Sequence, residues 1–323
     1  MKHRGTKDAP IKVGISICLL GEKVRFDSGH KRDRFITDIL GDYFEFIPVC
    51  PEMEIGMGIP REAVHLVDAP EGTRMVGVRS GKDWTAKMRQ YSDNRVKQLA
   101  KYRLSGYILK SKSPSCGMER VKLFHPNGSA HSANGVGMYT EYLLKEYPRL
   151  PVEEEGRLHD IPLRENFIVR VFAYHRLQEL FSGRFSRKDI IRFHTIHKYL
   201  LLAHSPKHYT QMGKLVAAIA DYQPDDFRSQ YSQLFMEGLK VTSTTKKNVN
   251  VLLHIVGFFK RHLEADDKKY LLDVIDDYHK QLVPLVVPVT LIRRFVDKYN
   301  IAYLTDQIYL APHPKELMLR NHV

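Results

Sequence analysis

Cys18, Cys50 and Cys116 are the only three thiols of the chain. Each follows a short apolar, strand-like run: Cys18 comes after Val13–Ile17 and Cys50 after Phe46–Val49, while Cys116 sits in a loop after Tyr107–Leu109. In an open parallel sheet, residues just past the strand carboxyl ends meet at one crevice, and such folds take their ligands there. The flanks read as loops, since Cys50 precedes Pro51 and Cys116 stands in Ser113-Pro114-Ser115-Cys116-Gly117. A small, odd number of cysteines argues against a disulfide framework and for a reducing compartment. The thiols are then either inert core residues, as free cysteines commonly are, or joint ligands. A structural zinc takes four protein ligands, and a cubane iron–sulfur cluster normally takes four thiolates. Three thiolates leave one position open, and an open soft-metal site is a Lewis acid toward sulfur or oxygen. That arithmetic favours substrate chemistry over electron relay. A catalytic zinc held by three cysteines and a water is the alternative.

Around these cysteines stand polar residues suited to proton work. Glu52, two residues past Cys50, should border the same crevice as a general acid/base. Ser113 and Ser115 flank Cys116 and can donate to a substrate oxygen, although turn formation is their other use. Lys110 ends a predicted strand and could hold a substrate phosphate or tune local charge. The histidines His194, His197 and His204 are spaced loosely along one helical face. With no glutamate to complete a zinc motif, they read as core or RNA-facing residues.

These residues need a scaffold, and the apolar pattern supplies one. Lys12–Ile17, Tyr43–Val49 and Gly106–Leu109 read as strands, with helices predicted around His30–Leu40 and Ala86–Ala100. Strands alternating with helices imply an α/β domain with a Rossmann-like parallel sheet over residues 1–160. Beyond that point the spacing turns helical, as in Ile190–Ala203 and Val249–His262, so residues 161–323 are expected to form an all-α domain. The aromatics Phe258, Phe259, Tyr303 and Tyr309 fall at helical spacing and read as core, and Gly135-Val136-Gly137 reads as a turn. No apolar run is long enough for a transmembrane helix. Met1–Pro10 is polar and lacks a signal-peptide pattern, so a cytoplasmic protein is expected. The net charge of +13 and pI near 9.5 favour polyanions, above all nucleic acid. The larger part of that excess lies in the helical half. There Lys246 and Lys247 open a predicted helix running on to Arg261, a candidate phosphate-contacting face.

Residues 11–160 resemble the thiouracil desulfidase family, TudS. The resemblance is carried by Cys18-Leu19-Leu20-Gly21 leading to Val24-Arg25-Phe26-Asp27, then Cys50-Pro51-Glu52, Gly56, Gly58 and Pro60-Arg61. It continues through Gly81-Lys82-Asp83-Trp84-Thr85 and Lys110 to Ser113-Pro114-Ser115-Cys116-Gly117, and departs at Met57 and Ile59. It implies a [4Fe-4S] cluster on Cys18, Cys50 and Cys116 with one open iron. Residues 161–323 resemble the helical domain often fused behind TudS. Matching stretches include Asn166-Phe167, Phe193-His194, Leu201-Leu202-Ala203-His204-Ser205, Asn248–His254 and Pro312-His313-Pro314. The combination is similar to the RudS-type fusions, which remove sulfur from 4-thiouridine in tRNA.

Together these readings give a non-redox, hydrolytic desulfurase. The thiocarbonyl sulfur would meet the open iron, water would add at C4 with Glu52 as acid/base and Ser113 orienting the reactants, and uridine would result. Ser115, Lys110, Lys246, Lys247 and Arg261 are the expected substrate contacts, with tRNA as partner. Two other functions fit the same residues: a desulfidase of free thiouracil or thionucleotides, and an iron–sulfur sensor or binding protein.

Overall fold

A computed structural model describes residues 10–322, so the polar segment ahead of Pro10 lies outside the described residues. The chain separates into two compact units, Met1–Asp160 and Ile161–Val323.

Eight strands make up the sheets of the first unit among the described residues. In chain order they are β1 (Ile11–Ser16), β2 (Phe44–Val49), β3 (Val64–Val67), β4 (Arg74–Gly77), β5 (Gly106–Leu109), β6 (Val121–Phe124), β7 (Ala130–Gly135) and β8 (Val152–Glu154). The main sheet runs β2-β1-β5-β8, and its three pairings are parallel. Parallel sheets are covered on both faces, so their strands are continuous apolar runs. β5 is buried at every residue, and in β1 Ile11, Val13 and Ile15 are fully enclosed. From β1 the chain passes to β2 on one side and returns to β5 on the other. The direction of winding therefore reverses between β1 and β5, which opens a crevice at their carboxyl ends.

The expected parallel α/β class holds, but two local expectations do not. No α-helix fills His30–Leu40. A π-turn at Phe35–Ile39 and a 3-10 turn at Leu40–Asp42 occupy it, burying only Ile36 and Leu40 of that stretch. A second sheet, β4-β3-β6-β7, was also not anticipated. It mixes antiparallel hairpins with one parallel pairing, and β7 is mostly exposed. A strand without an apolar face leaves no period-2 signal. The helices of this unit are α1 (Pro51–Glu54), α2 (Thr85–Leu99) and α3 (Met138–Glu146).

The second unit is helical throughout its regular elements, as expected. It contains α4 (Ile161–Leu180), α5 (Arg187–His204), α6 (Pro206–Ala217), α7 (Pro224–Lys240), α8 (Thr245–Val256), α9 (Ala265–His279), α10 (Val286–Tyr299) and α11 (Ala302–Thr305). Local chemistry sets the starts. Ser186 and Asp189 form a reciprocal capping box at α5. Ser205 caps α6, with Pro206 at the position where a missing N–H costs nothing. Inside, Phe193 packs edge-on to Phe235 at 5.4 Å, and Phe235 stacks on Tyr231 at 6.2 Å. The helix expected to reach His262 stops at Val256, where Gly257 opens a 3-10 turn. Glycine is the poorest ordinary helix former, so the shorter helix follows from its backbone freedom. None of the helices among the described residues is long and apolar enough to cross a membrane.

Candidate functional site

The carboxyl ends of β1, β2 and β5 surround a cavity of about 320 Å³ whose walls include Cys18, Cys50 and Cys116. Cys18 lies in a 3-10 turn directly after β1. Cys50 is the residue before α1, with Pro51 at the first helical position. Cys116 is set by its backbone. The carbonyls of Pro114 and Ser115 accept from Met138 and Tyr139 at the start of α3, and the carbonyl of Cys116 accepts from the Thr140 hydroxyl at 2.8 Å. The loop can come this close only because residue 137 is glycine. A Cβ there would lie 2.6 Å from the Ser115 carbonyl and 2.7 Å from the Gly117 nitrogen. The opposite edge of the loop is tied to β8 and the residue after it: Met118 N donates to Glu154 Oε1 at 2.8 Å, and Ser111 N donates to Glu155 Oε2 at 2.7 Å.

All three thiols are free and at least partly buried. Burial first, and then the neighbouring Cys50, push the Cys18 thiol up to about 11. Burial likewise raises Cys50 and Cys116, against the Ser16 hydroxyl that bonds Cys116 and lowers it. As ionised groups the three would oppose one another, so they rest protonated, and a cationic centre bound here would displace those protons. Among the described residues no three His, Cys, Asp or Glu side chains converge closely enough to grip one metal ion. A multi-iron cluster spreads its thiolates over a wider span than one ion does, and three soft sulfurs around one cavity suit that demand.

Glu52 lines the same cavity and is held at both oxygens. Its Oε1 accepts from Ser115 Oγ at 2.6 Å, and its Oε2 accepts from Arg61 Nε at 3.0 Å and Nη2 at 2.5 Å. Arg61 is fixed in turn, donating through Nη1 to the carbonyls of Val24 at 2.9 Å and Gly58 at 3.0 Å. Gly58 adopts φ +76, a left-handed conformation that a side chain would disfavour. The adjacent Glu54 does a different job, accepting from Cys50 N at 3.1 Å and pairing with Arg95 at 3.3 Å. Ser113 Oγ accepts the backbone N–H of Ser115 at 3.3 Å and of Cys116 at 3.1 Å, which leaves its proton to reach Ser115 Oγ at 3.0 Å. Ser113, Ser115 and Glu52 thus form a connected chain of hydrogen bonds on the cavity wall.

Several expected substrate contacts change character. Ser115 is 1% exposed and its hydroxyl is engaged by Ser113 and Glu52, so it supports Glu52 instead of reaching a substrate. The Lys110 ammonium binds the Glu155 carboxylate, the Ser111 carbonyl and the Ser111 hydroxyl, so all three of its protons have partners. Lys247 donates to the carbonyls of His204 at 2.7 Å and Thr242 at 3.2 Å, closing the end of α5 onto the start of α8. Lys246 and Arg261 are exposed, but Arg261 lies in a turn past α8 and not on its face. Sequence reasoning gave no role to Arg61 beyond its place in a motif. A lone arginine behind a Gly-x-Gly-x-Pro loop was its only signal. Arg25, quoted only within a motif, and Lys31 and Lys112, not singled out, add positive charge to the cavity.

His197 and His204 are structural. His197 bonds the Phe193 carbonyl at 2.8 Å through Nδ1, and His204 bonds the Val241 carbonyl at 2.8 Å through Nδ1. Burial pushes His197 down to about 3 and His204 down to about 4. Unfolded histidine titrates near 6.5, so as pH falls from there toward 4 the unfolded chain gains protons that the folded chain refuses. Each ring then costs about 1.4 kcal/mol of stability per pH unit, and above pH 7 the effect vanishes. Urea melts of wild type and His197→Gln between pH 7.5 and 5 should show a flatter pH dependence for the variant. Parallel curves would refute this account of the buried ring.

An α/β unit that gathers three cysteines and a clamped glutamate at its switch point is a ligand-handling unit of soft-donor type. Residues 13–155 match the family described as 2-thiouracil desulfurase, and residues 198–314 match one described as a protein of unknown function (DUF1722). Among curated proteins, "Uncharacterized protein YbgA" of Escherichia coli (strain K12) is 30% identical over 158 residues, which is 49% of this chain and 94% of that protein. "Uncharacterized protein YbbK" of Bacillus subtilis (strain 168) is 30% identical over 155 residues, 46% of this chain and 97% of that protein. A solved structure described as "[4Fe-4S]-dependent thiouracil desulfidase TudS" is 25% identical, covers 48% of this chain and 97% of its own, and has a TM-score of 0.38. The chain belongs to the 2-thiouracil desulfurase family, with the second family joined behind it.

Proposed function

We propose that the protein is a desulfidase that replaces the thiocarbonyl sulfur of a thiolated uracil by oxygen, acting on 4-thiouridine in tRNA to give uridine and sulfide. The observation that supports this most is the convergence of three strand-end thiols and Glu52 on one cavity. A [4Fe-4S] cluster held by Cys18, Cys50 and Cys116 would supply an open iron, a soft Lewis acid for a thiocarbonyl sulfur. The overall change, thiocarbonyl plus water to carbonyl plus hydrogen sulfide, needs no electrons. It does need proton transfers: water must lose protons as it adds to carbon, and the departing sulfur must gain them. Glu52 is placed for that traffic. Arg61 fixes one carboxylate oxygen, and Ser115 holds the other within a chain that ends at Ser113 on the cavity side. Ser113, whose hydroxyl is fully used by Ser115 and by the backbone N–H groups of Ser115 and Cys116, keeps this chain and the Cys116 loop in place. Three free thiols fit a reducing compartment, the cytoplasm.

The test is sulfide release by the full chain, reconstituted without air, from thiolated tRNA and from free 4-thiouracil. Release from tRNA at a higher kcat/KM supports the reading. Turnover of the free base alone favours the small-molecule desulfidase, and no turnover with an intact cluster favours a sensor. Lys246→Glu with Arg261→Glu should weaken tRNA binding and reduce its log-salt slope by about one unit per lost phosphate contact. Turnover of free 4-thiouracil should be unaffected. Lys247 is left intact in this test because it joins two helices.

A further inference from the structure

The turn after α8 builds a surface that the cavity does not use. Phe258, read from sequence as core, is 38% exposed, whereas its neighbour Phe259 is 1% exposed. The break at Gly257 sends one ring inward and the other out. The exposed ring has a defined partner. Phe258 stacks on Tyr303 of α11 with centroids 5.0 Å apart and planes 7° from parallel. Lys198 of α5 sets its ammonium 4.9 Å from the Tyr303 ring centre. Lys260, Arg261 and His262 follow in the same turn and are exposed. The His262 ring lies 5.5 Å from that of Tyr299, and Lys298 stands 5.0 Å from the Tyr299 ring. Of the nearby carboxylates, Asp267 pairs with Lys298 at 3.7 Å and Asp306 with Arg192 at 3.6 Å. Glu264 and Asp266 stand exposed at the start of α9 and bound the cationic surface on that side.

Here one exposed ring, Phe258, is backed by the half-buried Tyr303 and set among cations, the combination by which proteins hold single-stranded nucleic acid: cations track the phosphates, and rings stack the bases. An apolar peptide would find the cations in its way, and a polyanion without bases would have no use for the rings. We propose that the outer face of Phe258, backed by Tyr303, forms a stacking step for an unpaired base of RNA, flanked by Lys198, Lys260 and Arg261 on its phosphates. This rests on the tRNA reading above and adds the residues through which the helical unit grips loops or ends of the RNA.

The experiment uses the full chain with a sulfur-free tRNA transcript and a short oligouridylate, so that binding is read without turnover. Stacking one base on an aromatic ring is worth about 1–3 kcal/mol, so Phe258→Ala should weaken binding by roughly fivefold to 150-fold at every salt concentration. Its log-salt slope should stay that of wild type, while Arg261→Ala should lower the slope by about one unit. Phe258→Trp should restore affinity, and RNA should quench the indole it introduces. A folded Phe258→Ala protein with wild-type affinity, or an introduced indole that RNA leaves unquenched, overturns the stacking step and leaves the tRNA reading standing. A wild-type chain that binds neither RNA overturns both, while sulfide release from free 4-thiouracil still reports on the cavity.

Discussion

Serine at any one of positions 18, 50 or 116 will leave the purified chain without its iron and without sulfide release. Wild type prepared without air should carry about four irons and be brown, the count expected of a cubane. The size of the loss follows from the site. Each thiol comes from a different strand end, and no fourth cysteine exists to replace it. A hydroxyl in place of the thiol does not ionise near neutral pH and is a hard donor to a soft metal. Cys50→Ser should keep the fold, since Cys50 is only partly buried, and serine at the buried Cys18 differs from cysteine by one atom. Cys116→Ser puts a hydroxyl in a position 7% exposed and tests stability as well. Iron by colourimetric assay and the visible absorption band give the readout. A wild-type protein holding one zinc and no iron would sink the cluster reading, as would a Cys50→Ser protein that retains four irons.

Glu52→Gln separates ligation from chemistry. The amide keeps the size of the carboxylate but cannot take a proton, so turnover should fall on the order of a hundredfold while iron content stays unchanged. Arg61→Gln addresses the same oxygen from behind. It frees Glu52 Oε2 and leaves the Val24 and Gly58 carbonyls without their donor. It should therefore lower kcat and loosen the loop, with Arg61→Lys recovering little because one ammonium cannot bridge three acceptors on separate segments. Ser115→Ala should slow turnover while Ser115→Thr preserves it. Wild-type turnover by Glu52→Gln at full iron loading would remove the proton role assigned to that carboxylate.

The sheet that positions the site was readable from short apolar runs: Val13–Ile17 along the buried β1, and Phe46–Val49 in the edge strand β2, where Ile47 and Val49 are buried. That Cys18 and Cys50 stand at neighbouring strand ends followed from the same runs. The second sheet escaped notice because Ala130–Gly135 presents no apolar side. What sequence could not supply was the pairing of charges. Glu52 meets a serine 63 positions away, and Lys110 finds its counterion in Glu155, 45 positions away. Spacing along the chain carries no trace of such partners, so Lys110 and Lys247 read as available cations when both are engaged. The stop at Gly257 was available in principle from glycine's low helix propensity, but the apolar residues beyond it suggested continuation.

The ties from the Cys116 loop to Glu154 and Glu155 bear on the order in which the protein can be made. Synthesis delivers Cys18 and Cys50 early, with β1 and β2 able to pair as soon as both have emerged. The third thiol is produced long before the groups that fix it, because α3 and β8 are translated afterwards. A ribosome-bound chain that ends short of Glu155 therefore presents two placed sulfurs and one wandering loop. Were the proposed cluster delivered at that stage, it would meet an incomplete set of ligands, so its loading would follow completion of the first unit.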